Sequence, residues 1–377
     1  MKFFERNHCA VSGVADLEDL HCFPKFPAFM GCVDHSLEND ILEDMSWVIS
    51  RTSGLIQLKR LLPLDVLYPD AHGAGVVGAI WEQHHRSFAN FVHKFSPSSV
   101  FEIGGGHGIL SRDYRRIENI PWVILEPNPT PVSDCPARFI RGFFDHNFRY
   151  SGAFDTVVHS HVFEHIYEPQ EFMSHLSQFM RAGQHLIFSL PNQEAMMRRK
   201  YNNCINFEHT IFLTEPYVEF LLGKYGFRLV AKDYFLEDHS VFYAAVRDSS
   251  AQNIELPKNL YEENKNLYLD YVQYHEDLIG DLNAKVDVSI HPVYLFGAHV
   301  FSQYLIAFGL KTSKIVGLLD NDKNKQGRRL YGTNLMVNSP SVLTDVDRPI
   351  IVLKAGVYNQ EIKAQINNIN SDALFIE

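Results

Sequence analysis

The sequence predicts an α/β protein. Its centre is a doubly wound, mostly parallel sheet with helices on both faces, preceded by a small module and followed by a second, smaller α/β unit. Three observations carry this. From Ser99 to about Arg247, strand-like apolar runs alternate with helical ones. At the head of that alternation, Val100–Gly108 reads V-F-E-I-G-G-G-H-G, an apolar run that breaks into glycines. Beyond Val293 a shorter alternation of the same kind returns.

The bulk numbers agree. At 377 residues the chain is longer than one compact domain usually is, so two or three domains are expected. With 46% hydrophobic and 13% aromatic residues a core is assured and disorder is disfavoured. A formal charge of −11 argues against a general nucleic-acid surface. The first residues, Met1–His8, lack the apolar stretch of a signal peptide, and no apolar run approaches the ~18 residues of a membrane span. A cytoplasmic location is expected, and oligomeric state is not readable. Five scattered cysteines are expected as free thiols.

Taken in order, residues 1–70 form a turn-rich N-terminal module. Cys9, Cys22 and Cys32 make no C-x-x-C pair and so a poor zinc site. A loop and a helix over about 76–94 follow, with Gly73, Gly75 and Gly78 suiting a mobile or tightly turned segment. Residues 71–250 form the central domain, with strands at Val100–Ile103, Trp122–Leu125, Arg138–Ile140, Phe154–Val158 and His185–Leu190. Helices are expected at 165–180 and 216–225, and closing strands at 228–230 and 241–246. Residues 251–284 read as a connecting helix, and 285–377 as the second unit.

Ligands of such sheets bind beyond the carboxyl ends of the strands. Gly104, Gly105, Gly106 and Gly108 there let the backbone adopt positive φ and admit a close ligand. The spacing is not G-x-G-x-x-G, because the third glycine comes one residue early. Glu126, about twenty residues on, is placed to accept hydrogen bonds from ribose hydroxyls. The histidines of His159–His165 invite a metal, but Glu164 is out of place for H-E-x-x-H and no acidic third ligand is obvious. No metal is expected; cofactor contacts or capping are.

The loop spacing resembles motif I of the S-adenosylmethionine-dependent methyltransferases. The string Phe154–His165, ending H-V-F-E-H, resembles their fourth-strand segment. Nearly the whole chain resembles the sugar C-methyltransferases. Ser50–Leu58 is similar to that family's C-x-x-C-G-L-V-Q-L zinc segment, with Ser50, Ser53 and Ser12 where cysteines stand. The resemblance therefore implies a module persisting without zinc. The rival is a site from Cys9, Cys22, Cys32 and His8 or His21. The fold implied is a class I (Rossmann-like) methyltransferase domain. The cofactor implied is S-adenosyl-L-methionine, held by Glu102, the four glycines, Glu126, Phe144, Asp145, Ser160 and His161.

Asn206–Thr210 resembles the family's Y-H-E-H string, which makes Glu208 and His209 substrate-site residues and His209 a candidate base. Leu67–Asp70 and His84 match its lead-in segment. Ala71, His72 and Gly73 stand where it carries tyrosines, which leaves His72 as a possible substitute or a solvated loop residue. Asn192 ends the matching Ser189–Asn192 string. In the second unit, Asp320–Lys323, Lys325–Arg328 and Tyr358–Ile362 match the family's C-terminal domain. There Lys325, Arg328 and Lys354 either meet a nucleotide's phosphate or are solvated. The resemblance implies a small-molecule partner, a nucleotide-linked sugar, with C- or O-methylation left open. A methyltransferase for another metabolite and a silent binding protein are the alternatives.

Overall fold

The computed structural model describes residues 3–68, 78–201, 204–354 and 359–377. The chain divides into two compact units that do not follow chain order. The first comprises Met1–Leu20, Trp47–Arg199 and Glu208–Lys265. The second comprises His21–Ser46, Lys200–Phe207 and Asn266–Glu377. His72 and Tyr358 lie outside the described residues.

The first unit is built on a seven-stranded sheet. Its strands are β1 (Val100–Ile103), β2 (Trp122–Glu126), β3 (Arg138–Arg141), β4 (Thr156–Ser160), β5 (His185–Pro191), β6 (Phe227–Phe235) and β7 (Ser240–Arg247). They lie in the order β6-β7-β5-β4-β1-β2-β3. Strands β3, β2, β1, β4 and β5 are parallel, and the β6–β7 hairpin joins β5 antiparallel. Order and directions are those of the class I methyltransferase fold.

Alternate residues of the strands enter two layers. Phe101, Ile103, Leu125, Val157, Leu186 and Phe188 pack with Phe172, Met173 and Leu176 of α3 (Pro169–Phe179). Val100, Ile124, Val158 and Ile187 pack with Phe88, Phe91 and Val92 of α1 (Ala79–His93) and with Leu110 and Tyr114 of α2 (Ile109–Arg115). Burial on both faces is why these strands read as continuous apolar runs. The helix expected from His165 begins only at Pro169. A proline disfavours helix in the residue before it and suits the first helical position, so Phe163–His165 is a separate 3₁₀ turn.

Register sets the ligand edge. Ile103 pairs with Leu125 and with His159, Ser160 with Ser189, and Pro191 with Ser240. The turns after β1, β2, β4 and β5 and the one before β7 therefore share one edge.

In the second unit a five-stranded parallel sheet has β8 (Val293–Phe296), β9 (Ile315–Leu319), β10 (Val337–Asn338), β11 (Ile350–Leu353) and β12 (Leu374–Ile376). The order is β10-β9-β8-β11-β12. Asp320, just past β9, accepts from the Ala298 N–H at 2.8 Å and pairs with Lys325 at 3.1 Å. Arg328 pairs with Asp34 at 3.3 Å. Two of the three cations expected at a phosphate, Lys325 and Arg328, are thus engaged by carboxylates of their own unit. Burial pushes the Lys354 ammonium below its ordinary value. Among the described residues no helix is long and apolar enough to cross a membrane.

Candidate active site

The glycine turn after β1 is held from two sides. The Gly104 N–H donates to the Leu125 carbonyl at 2.8 Å, and the Gly106 N–H donates to Glu126 Oε2 at 3.0 Å. Glu126 Oε1 takes a second bond, from the Asn128 N–H at 3.0 Å. Gly104, Gly106 and Gly108 all have positive φ. A Cβ on Gly106 would meet nothing within 4 Å, so the outer face of the turn is open. Gly105 is different, because its Cβ would strike Glu102 and Ile124.

Glu102 lies beneath that turn, its carboxylate against the position a Cβ on Gly105 would take. It is 3% exposed and accepts from Trp122 Nε1 at 2.7 Å. Burial pushes its carboxyl up to about 7, against the Trp122 hydrogen bond and with the help of Glu126. The bond that Glu102 makes here is to Trp122, within the sheet. A side chain on the inward phase of β1 supports the loop from below.

Past Glu126, a cavity of about 790 Å³ is lined by Leu64, Asp65, Tyr68, Pro127, Asn128, Arg141, Gly142 and Phe143. That is within the range of small-ligand and cofactor sites. Phe144 and Asp145, expected at the cofactor, are not among these lining residues. The Phe144 ring packs on Phe172, His175 and Phe179, and Asp145 caps its own turn by accepting from the Asn147 and Phe148 N–H groups. Phe143, 52% exposed, faces the cavity instead. The two phenylalanines are adjacent, and only the strand's phase tells them apart. An open glycine turn, a strand-end carboxylate and a roomy, partly apolar cavity fit an adenosyl cofactor.

The 3₁₀ turn after β4 carries Glu164, a fully buried carboxylate. A Glu164 oxygen lies 3.3 Å from His161 Nδ1 and 3.7 Å from His165 Nε2. Burial pushes Glu164 up, but His165, His161 and His209 together outweigh it and hold the carboxyl at about 2. His165, His209 and Glu164 form one group. The His165 and His209 rings are 5.3 Å apart. His165 Nδ1 lies 3.0 Å from the Glu208 carbonyl, an acceptor only, so Nδ1 carries the proton in that bond. The Tyr68 hydroxyl also lies 3.2 Å from this nitrogen. Burial, then the charge of Glu208, push the Tyr68 phenol well above its ordinary value and keep it protonated.

Tyr68 therefore joins the cavity lining to the Glu208–His209 segment, a role not read from the sequence. Its only signal there is its place in the L-Y-P-D string. The segment itself is anchored by Arg6, also missed. Arg6 is 1% exposed, and its guanidinium donates to the Thr210 and Tyr167 carbonyls, both at 2.7 Å.

The other expected residues are placed as follows. Ser160 ends β4, and the His161 N–H donates to the Ser189 carbonyl at 3.0 Å. His84 is fully buried, with Nε2 3.0 Å from Ser189 Oγ. Asn192 caps the helix Gln193–Arg198 by accepting from the Ala195 N–H and donates to the Glu237 carbonyl. A capping asparagine explains that position without a substrate. In the N-terminal segment, Cys9 Sγ lies 3.2 Å from Ser53 Oγ, the Ser12 N–H donates to Cys9 Sγ, and the Ser53 N–H donates to Ser50 Oγ. The four positions of the resembled zinc segment thus converge on hydrogen bonds. Among the described residues, no group close enough to hold a metal includes a cysteine.

Residues 80–232 match the family model described as a methyltransferase domain. No curated protein matches the chain. Among solved structures it is similar to magnesium protoporphyrin IX methyltransferase of Synechocystis PCC 6803 with bound SAH, at 18% identity and a TM-score of 0.37. That match covers 47% of this chain and 90% of the other. N-methyltransferase NodS of Bradyrhizobium japonicum WM9 with SAH matches at 12% and 0.35, covering 45% and 88%. An O-methyltransferase family protein of Burkholderia thailandensis matches at 14% and 0.36, covering 45% and 56%. The matched segment, with its strand order and glycine turn, is a class I methyltransferase domain. S-adenosyl-L-methionine is the cofactor of that class.

Proposed function

We propose that the protein methylates a nucleotide-linked sugar or related carbohydrate precursor, at carbon or oxygen, with Glu208 and His209 in the substrate site. The observation that carries this is the grouping of His209, His165 and buried Glu164 with Tyr68, which also lines the cavity. Glu126, the backbone of the glycine turn and the walls of the cavity would hold the cofactor. S-adenosyl-L-methionine supplies a methyl on a sulfonium, which leaves as a neutral thioether. The chain's part is to position, to exclude water and to accept a proton. His209 takes the proton from the attacking carbon or oxygen, and the buried negative charge of Glu164 stabilises the imidazolium that results. Tyr68, protonated, can accept from the His165 Nδ1–H and keeps its own hydroxyl hydrogen for a substrate oxygen.

The chain departs from the sugar enzymes at the tyrosines after Asp70, which favours a second reading, methylation of another small metabolite. Incubation with S-adenosylmethionine and a panel of nucleotide sugars, read by mass for the gain of one CH₂, separates the two. His209→Ala is expected to lower turnover at least ~100-fold while cofactor binding is spared. Unchanged turnover removes His209 as the base. No calorimetric binding of S-adenosylmethionine sinks both enzyme readings.

A further inference from the structure

A second cluster lies on the same edge of the sheet and touches the first where His161 meets Glu164. His84 comes from α1, His161 from the turn after β4 and His239 from the residue before β7. Their ring centroids are 5.2 Å (His84–His161), 5.5 Å (His84–His239) and 6.2 Å (His161–His239) apart. One nitrogen from each ring lies within 4.8 Å of the other two. The sequence expectation of no metal rested on the lack of a third ligand near His161. The fold brings two more histidines from positions 77 residues upstream and 78 downstream by number.

Three features distinguish this cluster from ordinary aromatic packing. His84 Nδ1 is buried with no hydrogen-bond partner, on a side chain with no exposure, and an orphaned buried imidazole nitrogen is costly. Other ring nitrogens are held by oxygens, as metal-ligating histidines usually are. His84 Nε2 is 3.0 Å from Ser189 Oγ, His239 Nδ1 is 2.7 Å from Ser240 Oγ, and His161 Nδ1 is 3.3 Å from Glu164. Ser240 Oγ also lies 3.0 Å from His161 Nε2. Third, His161, whose ring lies in the cluster, has φ +51, a left-handed backbone strained for a residue other than glycine. Trp81 walls the group, its ring 5.0 to 5.2 Å from all three imidazoles.

We propose that His84, His161 and His239 bind one divalent first-row transition cation of the zinc or cobalt type. Three imidazoles are a donor set that such ions favour, and they leave a coordination position for water or a ligand oxygen. In a tetrahedral zinc site the ligand nitrogens lie about 3.3 Å apart, so binding draws the rings inward. Binding of the ion requires neither cofactor nor substrate, although His161 also meets Glu164 of the first group.

The test uses the full-length, tag-free chain stripped with chelator. Titration with Co²⁺ alone is expected to give one equivalent bound, a visible ligand-field band and quenching of Trp81 fluorescence. Zn²⁺ should displace the ion and abolish the band. His239→Asn, checked for folding by circular dichroism, is expected to weaken Co²⁺ binding ~100-fold, whereas His209→Asn, in the Glu164–His165–His209 group, should leave it within about threefold. Absence of stoichiometric binding overturns the proposal. So does retention of binding in His239→Asn, or equal loss in both variants, which would move the ion to the other group.

Discussion

Glu126→Gln tests the cofactor site most directly. The two carboxylate oxygens each accept a backbone N–H at 3.0 Å, one from Gly106 and one from Asn128. A glutamine keeps one acceptor and presents NH₂ where the other stood, so one N–H faces a donor. One charge-assisted bond is lost, worth about 1.5–3 kcal/mol, and the turn must shift to relieve the clash. If the same carboxylate accepts from ribose hydroxyls, cofactor binding loses a comparable amount, or about 10- to 100-fold in Kd. Isothermal calorimetry with S-adenosylhomocysteine reads this, alongside urea unfolding to separate stability from binding. A Kd within twofold of the parent protein, in a folded variant, would refute the placement of the cofactor beside Glu126.

Two further outcomes follow from the same turn. With the Glu102 carboxyl at about 7 when folded and an ordinary 4.5 when unfolded, the folded state holds the extra proton between these values. Its contribution is full below about pH 4.5, is lost as pH rises through 7, and amounts to roughly 3 kcal/mol at most. Glu102→Gln keeps an acceptor for Trp122 and should gain relative stability from pH 5 to pH 8; parallel urea midpoints for the two proteins would contradict this. Gly106→Ala and Gly108→Ala should separate binding from folding. Both carry positive φ, but a Cβ at Gly108 overlaps Cys135 and one at Gly106 meets nothing. The first should cost about 1 kcal/mol and abolish cofactor binding, while the second should cost about 1–3 kcal/mol of stability. Equal effects on binding and melting for both would argue against an open cradle over Gly106.

Much of the site was legible because it depends on local chemistry. Glycines at a strand end and an acid after the next strand are backbone and register requirements, and those are written in short strings. What was not legible shares one cause, the phase of a side chain. Phe144 and Phe143 are chemically the same, and only packing against Phe172 and Phe179 turns one inward. Glu102 reads as a polar group in an apolar strand, and only the sheet's pleat shows that it lies under Gly105. Asn192 ends a string that suits a ligand, yet it caps a helix.

The sequence by itself determined the alternation of strands and helices, the glycine turn and an acid at the end of the next strand. Each follows from residue type and spacing along fewer than thirty residues, whereas the Glu208–His209 pair was singled out by a family resemblance. Only the tertiary structure decided what meets across the chain. Arg6 anchors Thr210 across 204 residues. Tyr68 reaches His165 across 97. His84, His161 and His239 become one cluster because β4 runs parallel to β5 while β7 runs antiparallel to it, which brings the turn after β4 and the start of β7 to one edge, with α1 packed beside them. Contacts of that length are fixed by burial of the two sheet faces, which no local pattern encodes.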